Sequence, residues 1–239
     1  MEIFIFLTIH WFGSLFFQTF FHHRYAAHRM FSMSNFWEKT FFILTFLFQG
    51  SSYLKPSAYA IMHRQHHAFS DTEDDPHSPH FTGNLVKMMH RTVVIYHGLV
   101  QSTKEQPKPP EWEPLDRLAD SMYVRILWGT LYTTFYFCYM TNFWVLLLLP
   151  IHYLMGPIHG AIVNWCGHKY GYRNFDIPDK SRNTLVVDFL LMGELYQNNH
   201  HKFPNRANFA SRWFEADPTY PIVRLLNSLR IIRLSPASA

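Results

Sequence analysis

The chain has 239 residues, enough for one domain with a sizeable core, and 48% of them are hydrophobic and 18% aromatic, which is typical of a membrane protein. Its two cysteines, Cys138 and Cys166, are too few for a disulfide framework or a thiolate metal site. In so apolar a chain, a formal net charge of +4 favours cytoplasmic loops beside anionic lipid and argues against a nucleic-acid surface.

The first apolar run predicts a membrane span over residues 3–21. These nineteen residues carry no formal charge, and this length is enough for a helix to cross the hydrocarbon core. No basic segment precedes the run, so we do not expect a cleaved signal peptide. The next apolar run, residues 41–52, is too short to cross and predicts an interfacial helix.

A longer apolar stretch, residues 123–163, predicts a hairpin of two spans. Its one formal charge, Arg125, lies near its start, and Met140-Thr141-Asn142 interrupts it near the middle, so we expect spans over 123–140 and 143–163. The four prolines in residues 101–120 predict a polar loop. Residues 169–239 are polar and aromatic-rich and are expected to form helices and loops on the same membrane face.

The distribution of charge predicts the orientation of these spans. Lysine and arginine gather in residues 24–39, 55–125 and 169–233, whereas the N-terminus and the hairpin tip carry none. By the positive-inside rule these basic segments face the cytoplasm. We therefore predict an all-α integral membrane protein with one domain over 1–239, three spans (four is the alternative), and a cytoplasmic helical lobe. The bacterial inner membrane is the expected location.

Four segments on the predicted cytoplasmic side are rich in histidine. Imidazole is the commonest side-chain metal ligand, and eight such groups are too many for a single ion, so the sequence predicts a histidine-rich two-metal site. The eight candidate ligands are His23, His28, His63, His66, His67, His168, His200 and His201.

Helical spacing predicts how some of these ligands are arranged. His63 and His67 are four residues apart and share a helix face, with His66 about 60° around the same helix, so the three could serve two adjacent metals. His23 and His28 are five apart and diverge on a regular helix. We expect that helix to end near residue 24, which would let the two rings converge.

The remaining histidines and the nearby carboxylates have less specific roles. We expect hydrogen-bonded core positions for His10, His152 and His159. We expect loop or interfacial positions for His77, His80, His90 and His97. Four carboxylates could either orient ligand imidazoles or form helix caps and turns, namely Asp71, Asp74, Asp75 and Glu194.

These motifs resemble the histidine boxes of the membrane fatty acid desaturases. The pattern is HxxxxH at 23–28, HxxHH at 63–67 with flanking FSDTEDDPH, NxxxH at 164–168, and a final box at 197–201 preceded by Gly193-Glu194. The similarity covers about residues 10–205 and lies closest to the acyl-CoA (stearoyl-CoA-type, delta-9-like) desaturase branch in its bacterial form.

The resemblance implies two iron ions and O2-dependent formation of a cis double bond in a fatty acyl-CoA or other acyl lipid. It also implies that Asn164 reaches one metal through a water molecule. The chain contains no haem or flavin motif, so electrons are expected from a separate ferredoxin- or cytochrome-type protein.

Two features depart from the family pattern. Gln197 stands where the last box usually has histidine, and an amide is a weak metal ligand. The first box also follows the first apolar run, one span earlier than in the family.

The same oxidising centre could serve a lipid or alkane hydroxylase or an oxidative decarboxylase, which remain alternatives. A metal transporter predicts histidines along the spans, and a zinc hydrolase predicts a motif such as HExxH that this sequence lacks.

Overall fold

The computed structural model describes residues 1–100 and 108–238, which fold as helices with one small sheet. The elements in chain order are α1 (Glu2–Phe17), a π-helix (Gln18–Ala27), β1 (Phe31–Met33), α2 (Asn35–Gln49), a 3₁₀ turn (Gly50–Ser52), α3 (Pro56–Phe69), α4 (Leu85–Val100), α5 (Glu113–Asp120), α6 (Met122–Tyr139), a 3₁₀ helix (Phe143–Leu148), α7 (Leu149–Tyr153), α8 (Met155–Lys169), α9 (Gln197–Lys202), α10 (Thr219–Ser228) and β2 (Ile232–Leu234).

The predicted first span is a helix that runs further than expected. Helix α1 continues without a break into the π-helix, and Glu2–Ala27 is the one continuous helix in the described residues that is long and apolar enough to cross a membrane. The expectation that this helix ends near residue 24 is wrong, because its winding changes from α to π and the helix continues to Ala27.

The predicted hairpin has its turn in the expected place but a broken second arm. Helix α6 ends at Tyr139, and Asn142 begins the return by accepting a hydrogen bond from the Trp144 amide (3.1 Å). The return arm bends by 73° between α7 and α8. Pro157 accounts for the break, because its ring excludes the carbonyl of Tyr153, four residues earlier, from a regular helix.

By length and apolarity, one helix of the described residues qualifies as a span, or two if the bent arm counts as one. Helix α6, with 18 residues, is not among them. The three-span count and the assigned orientation stay predictions.

Helix α2 and the segment 101–120 differ from what the sequence predicted. The interfacial helix predicted at 41–52 begins earlier, at Asn35, because the Ser34 hydroxyl accepts a hydrogen bond from the Trp37 amide and caps α2. The loop predicted at 101–120 contains helix α5, and its first part, 101–107, lies outside the described residues.

The C-terminal segment returns to the start of the chain and forms a sheet that the all-α prediction did not include. Strands β1 and β2 pair antiparallel, with Phe31 opposite Leu234 and Ser32 opposite Arg233. The Ser235 amide and hydroxyl both donate to the Met30 carbonyl (3.0 and 2.8 Å). This pairing fixes the chain immediately after the first histidine box.

Phenylalanine rings form the core that supports the π-helix. Phe20 and Phe21 are fully buried and pack on α2, where Phe20 lies 4.9 Å from Phe41 and Phe21 lies 4.9 Å from Phe42 between ring centroids. Each buried phenyl ring contributes about 1.5–3 kcal/mol relative to an exposed one. Packing of this strength can hold the wider π winding in place.

Candidate metal centre

The π-helix explains how two histidines five residues apart converge. In this winding the amide of residue i+5 bonds to the carbonyl of residue i, and the His28 amide donates to the His23 carbonyl at 3.1 Å. Residues five apart therefore lie one above the other. The imidazole rings of His23 and His28 are 5.0 Å apart between centroids.

Helix α3 sends its three histidines to two different places. The Nε2 atoms of His63 and His67 are 3.0 Å apart, as their four-residue spacing predicts. His66 instead faces His201 of α9, with 3.2 Å between Nε2 atoms. These positions agree with two adjacent sites along one helix, and the role of the three rings as metal ligands stays a prediction.

The histidine side chains form two groups, here called the five-histidine group and the three-histidine group. Within each group the candidate ligand atoms all lie within 4.8 Å of one another. The five-histidine group consists of His23, His28, His63, His67 and His200. The three-histidine group consists of His66, His168 and His201.

Short distances between ring nitrogens mark the centre of the five-histidine group. Nε2 of His200 lies 2.9 Å from Nε2 of His23 and 2.9 Å from Nε2 of His67, and Nε2 of His28 lies 2.8 Å from that of His63. Ring nitrogens this close share either a proton or a cation, because two lone pairs that face each other repel. In the three-histidine group, Nε2 of His168 is buried and has no hydrogen-bond partner in the described residues.

Carboxylates fix the outer nitrogens of four of these rings. Three of the four belong to the predicted set for which the sequence left the role open. Of these, Glu194 Oε2 lies 2.7 Å from Nδ1 of His23, and both Asp75 oxygens lie 3.0 Å from Nδ1 of His66. An acceptor at Nδ1 places the proton there and leaves Nε2 free to bind a metal. The Asp75 carboxylate is fully buried.

The third carboxylate of the predicted set, Asp71, and a fourth, Asp179, orient the other two rings of the three-histidine group, to which His66 also belongs. Asp71 Oδ2 lies 2.8 Å from Nδ1 of His168, and Asp179 Oδ2 lies 3.2 Å from Nδ1 of His201. Asp74, which shared the prediction with its neighbours, is exposed. Asp179 was not anticipated, because nothing in its own neighbourhood indicates that it meets a histidine 22 residues later.

Burial keeps several of the ligand candidates neutral. Burial, followed by the positive charge of neighbouring imidazoles, lowers the pKa of His63, His67 and His200 well below the ordinary 6.5. Burial would raise the pKa of Asp71, but hydrogen bonds from the His168 ring, the Lys180 amide and the Ser78 hydroxyl outweigh it and hold that pKa below its usual value. Neutral imidazoles backed by ionised carboxylates are the forms that bind metals.

The two ligand candidates that are not histidines, Asn164 and Gln197, lie beside the histidine groups. The Gln197 amide nitrogen donates to the Glu194 carbonyl at 2.6 Å, and its side chain packs so closely on α8 that only glycine fits at position 167. Asn164 and Gln197 line the same cavity. Their roles as metal ligands stay predictions.

His77 belongs to this region more closely than its sequence position suggested. It lies in a turn but is buried, its ring is 4.4 Å from that of His66, and neither ring nitrogen has a hydrogen-bond partner among the described residues. The pair predicted to be hydrogen-bonded in the core, His10 and His152, is confirmed, with 2.7 Å between Nδ1 atoms. The same prediction is wrong for His159, which is buried against Trp11 but has no hydrogen-bond partner at either ring nitrogen within the described chain.

An apolar cavity of about 310 Å³ opens beside the histidines. His23 and His63 of the five-histidine group form part of its wall, together with Asn164 and Gln197. The rest of the wall is largely apolar and includes Leu15, Leu54, Met62, Met89, Val93 and Val163. A cavity of this size and lining fits part of a hydrocarbon chain.

Comparison with known proteins gives one family. The sequence matches the fatty acid desaturase family model over residues 3–225. It is 30% identical over 216 residues to an sn-1 stearoyl-lipid 9-desaturase of Anabaena variabilis, covering 87% of this chain and 74% of that protein. It is 28% identical to a hex-5-enoyl-[acyl-carrier protein] acetylenase of Moorena producens (strain JHB), covering 88% and 69%, and 27% identical to acyl-CoA 5-desaturase AL21 of Anemone leveillei, covering 93% and 68%.

Proposed function

This chain belongs to the fatty acid desaturase family, and we propose that it introduces a cis double bond into a fatty acyl chain by an O2-dependent reaction at a histidine-ligated di-iron centre. The observation that carries the proposal is the pair of histidine groups beside an apolar cavity. A membrane location with the histidine boxes on the cytoplasmic side is part of the proposal, supported by the apolar helix Glu2–Ala27 and the distribution of basic residues.

The residues present fit two metal ions. The five-histidine group would hold one ion, and the three-histidine group would hold the other, with Asn164 acting through water and Gln197 as a weak additional ligand. Iron is proposed because the family chemistry requires a redox metal and imidazole ligands suit it. When bound, the two irons would supply the oxidising power that removes two hydrogen atoms from the acyl chain.

The protein itself contributes orientation and exclusion of water. Glu194, Asp75, Asp71 and Asp179 hold their imidazole partners with Nε2 towards the centre. The cavity wall at His23 and His63 would bring two neighbouring methylenes close to the centre, and the apolar lining would keep bulk water away from them. An acyl-CoA thioester is the carrier we propose first. Relatives act by name on lipid-, acyl-carrier-protein- and CoA-linked chains, so the carrier has to be tested directly.

The test is the fatty-acid profile of an aerobic bacterial host that expresses the chain, measured by gas chromatography with mass spectrometry. We expect a new monounsaturated acid in the wild type, and none with His66→Ala inserted in the membrane at an equal level. His90→Ala is the matched control, because His90 is exposed on α4. A hydroxylated or shortened product that depends on His66 would replace desaturation with hydroxylation or decarboxylation. Equal product from His66→Ala would exclude this site.

A further inference from the structure

An exposed basic surface lies around the small sheet. Two neighbouring concavities, each of about 510 Å³, share Ser32, Met33 and Arg233 of the strand pair. In the described residues four cations line these concavities against a single carboxylate, Glu38, which accepts a hydrogen bond from the Tyr25 hydroxyl. We call this patch the basic surface, and its cations are Arg29, Lys108, Arg230 and Arg233.

Most of this charge is not neutralised within the protein. Arg29, Arg230 and Arg233 are exposed and have no carboxylate within ion-pair distance in the described parts of the chain. Lys108 pairs with Glu111 at 3.2 Å, with 64% of the lysine side chain exposed. Uncompensated charge around a concave surface produces a directed positive potential that attracts an acidic partner.

Two of the arginines occupy backbone positions that favour glycine. Arg29 has φ 54° and Arg230 has φ 60°, both in the left-handed region. Arg230 follows the end of α10, where the Ile231 amide bonds back to the Leu226 carbonyl (3.0 Å), a helix ending at which glycine is the usual residue. The chain therefore carries a positive charge at two positions where the backbone conformation favours glycine.

The basic surface adjoins the five-histidine group. Arg29 follows His28 directly in the chain, and Ser32, which pairs with Arg233, is only four residues beyond that ligand candidate. Four residues extend at most about 14 Å, so the strand pair lies within that distance of His28 along the backbone. A redox protein seated on this surface would have a short path to the centre.

We propose that the basic surface is the docking site for a one-electron carrier protein with an acidic face. The inference rests on the proposed function, because each desaturation with one O2 yields two water molecules and requires two electrons and two protons in addition to the two hydrogens of the substrate. The chain has no haem or flavin motif to store those electrons. The donor is oxidised by one electron at each encounter, so it must bind and leave twice in every turnover.

An acidic acyl carrier could in principle recognise the same charges, but the geometry favours the electron donor. The carrier has to sit at the mouth of the apolar cavity, whose described wall includes Met89, Val93, Met122 and Arg125. The residues that line that cavity and those that line the two concavities do not overlap in the described structure.

The test compares the donor with a reductant that needs no docking. The iron-loaded full chain in nanodiscs is reduced in a stopped-flow instrument by a plant-type two-iron ferredoxin or by dithionite, and ferredoxin binding is measured separately by surface plasmon resonance. Arg230→Gly removes the charge while favouring the local backbone, Arg230→Lys keeps the charge, and Arg117→Gln removes an equal charge on α5, where Arg117 is 80% exposed.

At low salt we expect Arg230→Gly combined with Arg233→Gln to slow association and reduction by ferredoxin about tenfold, with Arg230→Lys and Arg117→Gln close to wild type. The difference should vanish at high salt, and dithionite should reduce every variant equally. Ferredoxin rates that are equal in all variants would overturn the docking site. Acyl-carrier protein is injected over the same surface as a second ligand, and a loss of its binding in Arg230→Gly with Arg233→Gln, with ferredoxin binding unchanged, would also overturn it. A centre that dithionite cannot reduce would refute the proposed function itself.

Discussion

Asp71→Asn should weaken one metal site and spare the other. The Asp71 carboxylate accepts hydrogen bonds from Nδ1 of His168 (2.8 Å), the Ser78 hydroxyl (3.0 Å) and the Lys180 amide (2.8 Å). An asparagine can place its one acceptor oxygen where Oδ2 now meets the His168 ring and the Lys180 amide, but it carries no negative charge. The His168 ring would then keep an acceptor at Nδ1 and lose the charge that raises the basicity of its Nε2 as a metal ligand.

The size of the effect follows from how such outer partners act on metal ligands. Substituting one typically lowers metal affinity 10–100-fold, which corresponds to about 1.4–2.8 kcal/mol. The loss should be confined to the three-histidine group, because His168 is one of its members and the five-histidine group has no contact with Asp71 among the described hydrogen bonds. With fewer imidazoles in its shell, the three-histidine group is also expected to be the weaker site.

The assay is metal content per chain, measured by mass spectrometry after equilibration with increasing chelator. Asp71→Asn should pass from two metals to one at a chelator concentration 10–100-fold lower than wild type needs. Asp74→Asn is the control, since this neighbouring aspartate is exposed. The reasoning is refuted if Asp71→Asn and Asp74→Asn lose metal together, or if both ions leave Asp71→Asn in a single step.

Three further changes test the fold around the centre. Arg24→Met should lower the free energy of unfolding by about 3–5 kcal/mol in denaturant titrations, because it leaves the Asp217 carboxylate, 2.7 Å from the guanidinium and fully buried, without its charge partner. Gly171→Ala should lower the melting temperature, since φ is 115° and a Cβ there would lie 2.0 Å from the Asn183 carbonyl oxygen; an unchanged melting temperature would contradict this geometry. Burial raises the pKa of Asp116 above 3.8, so the native state holds its proton more tightly and this residue's contribution to stability falls as pH rises from 3.8 through the folded pKa. Asp116→Asn should flatten that dependence in stability measurements across this window, and an unaltered slope would count against the buried carboxylate.

Local patterns in the sequence predicted much of the candidate centre. The spacing of four residues in the second box predicted that His63 and His67 share a helix face with His66 about 60° around it, since side-chain direction on a regular helix depends only on position. The length of the uncharged run at the N-terminus predicted the first helix, since nineteen apolar residues suffice to cross a hydrocarbon core as a helix. The family prediction rested on box spacing and is confirmed.

Other features depend on contacts between distant segments. A spacing of five at His23 and His28 has no convergent solution on an α-helix, and the π winding that solves it is held by phenylalanine packing from α2. The partner of His201, Asp179, reaches it through a loop of irregular structure. No local pattern encodes these arrangements.

The sequence alone determined the helical periods, the apolar segments and the number and kind of candidate ligands, because these depend on residues within a few turns of one another. Only the tertiary structure decided that eight histidines from separate segments divide into groups of five and three. It also decided that the C-terminal strand returns to pair beside the first box. Such pairings arise when distant segments bury surface together, and the free energy of that burial is a property of the whole fold.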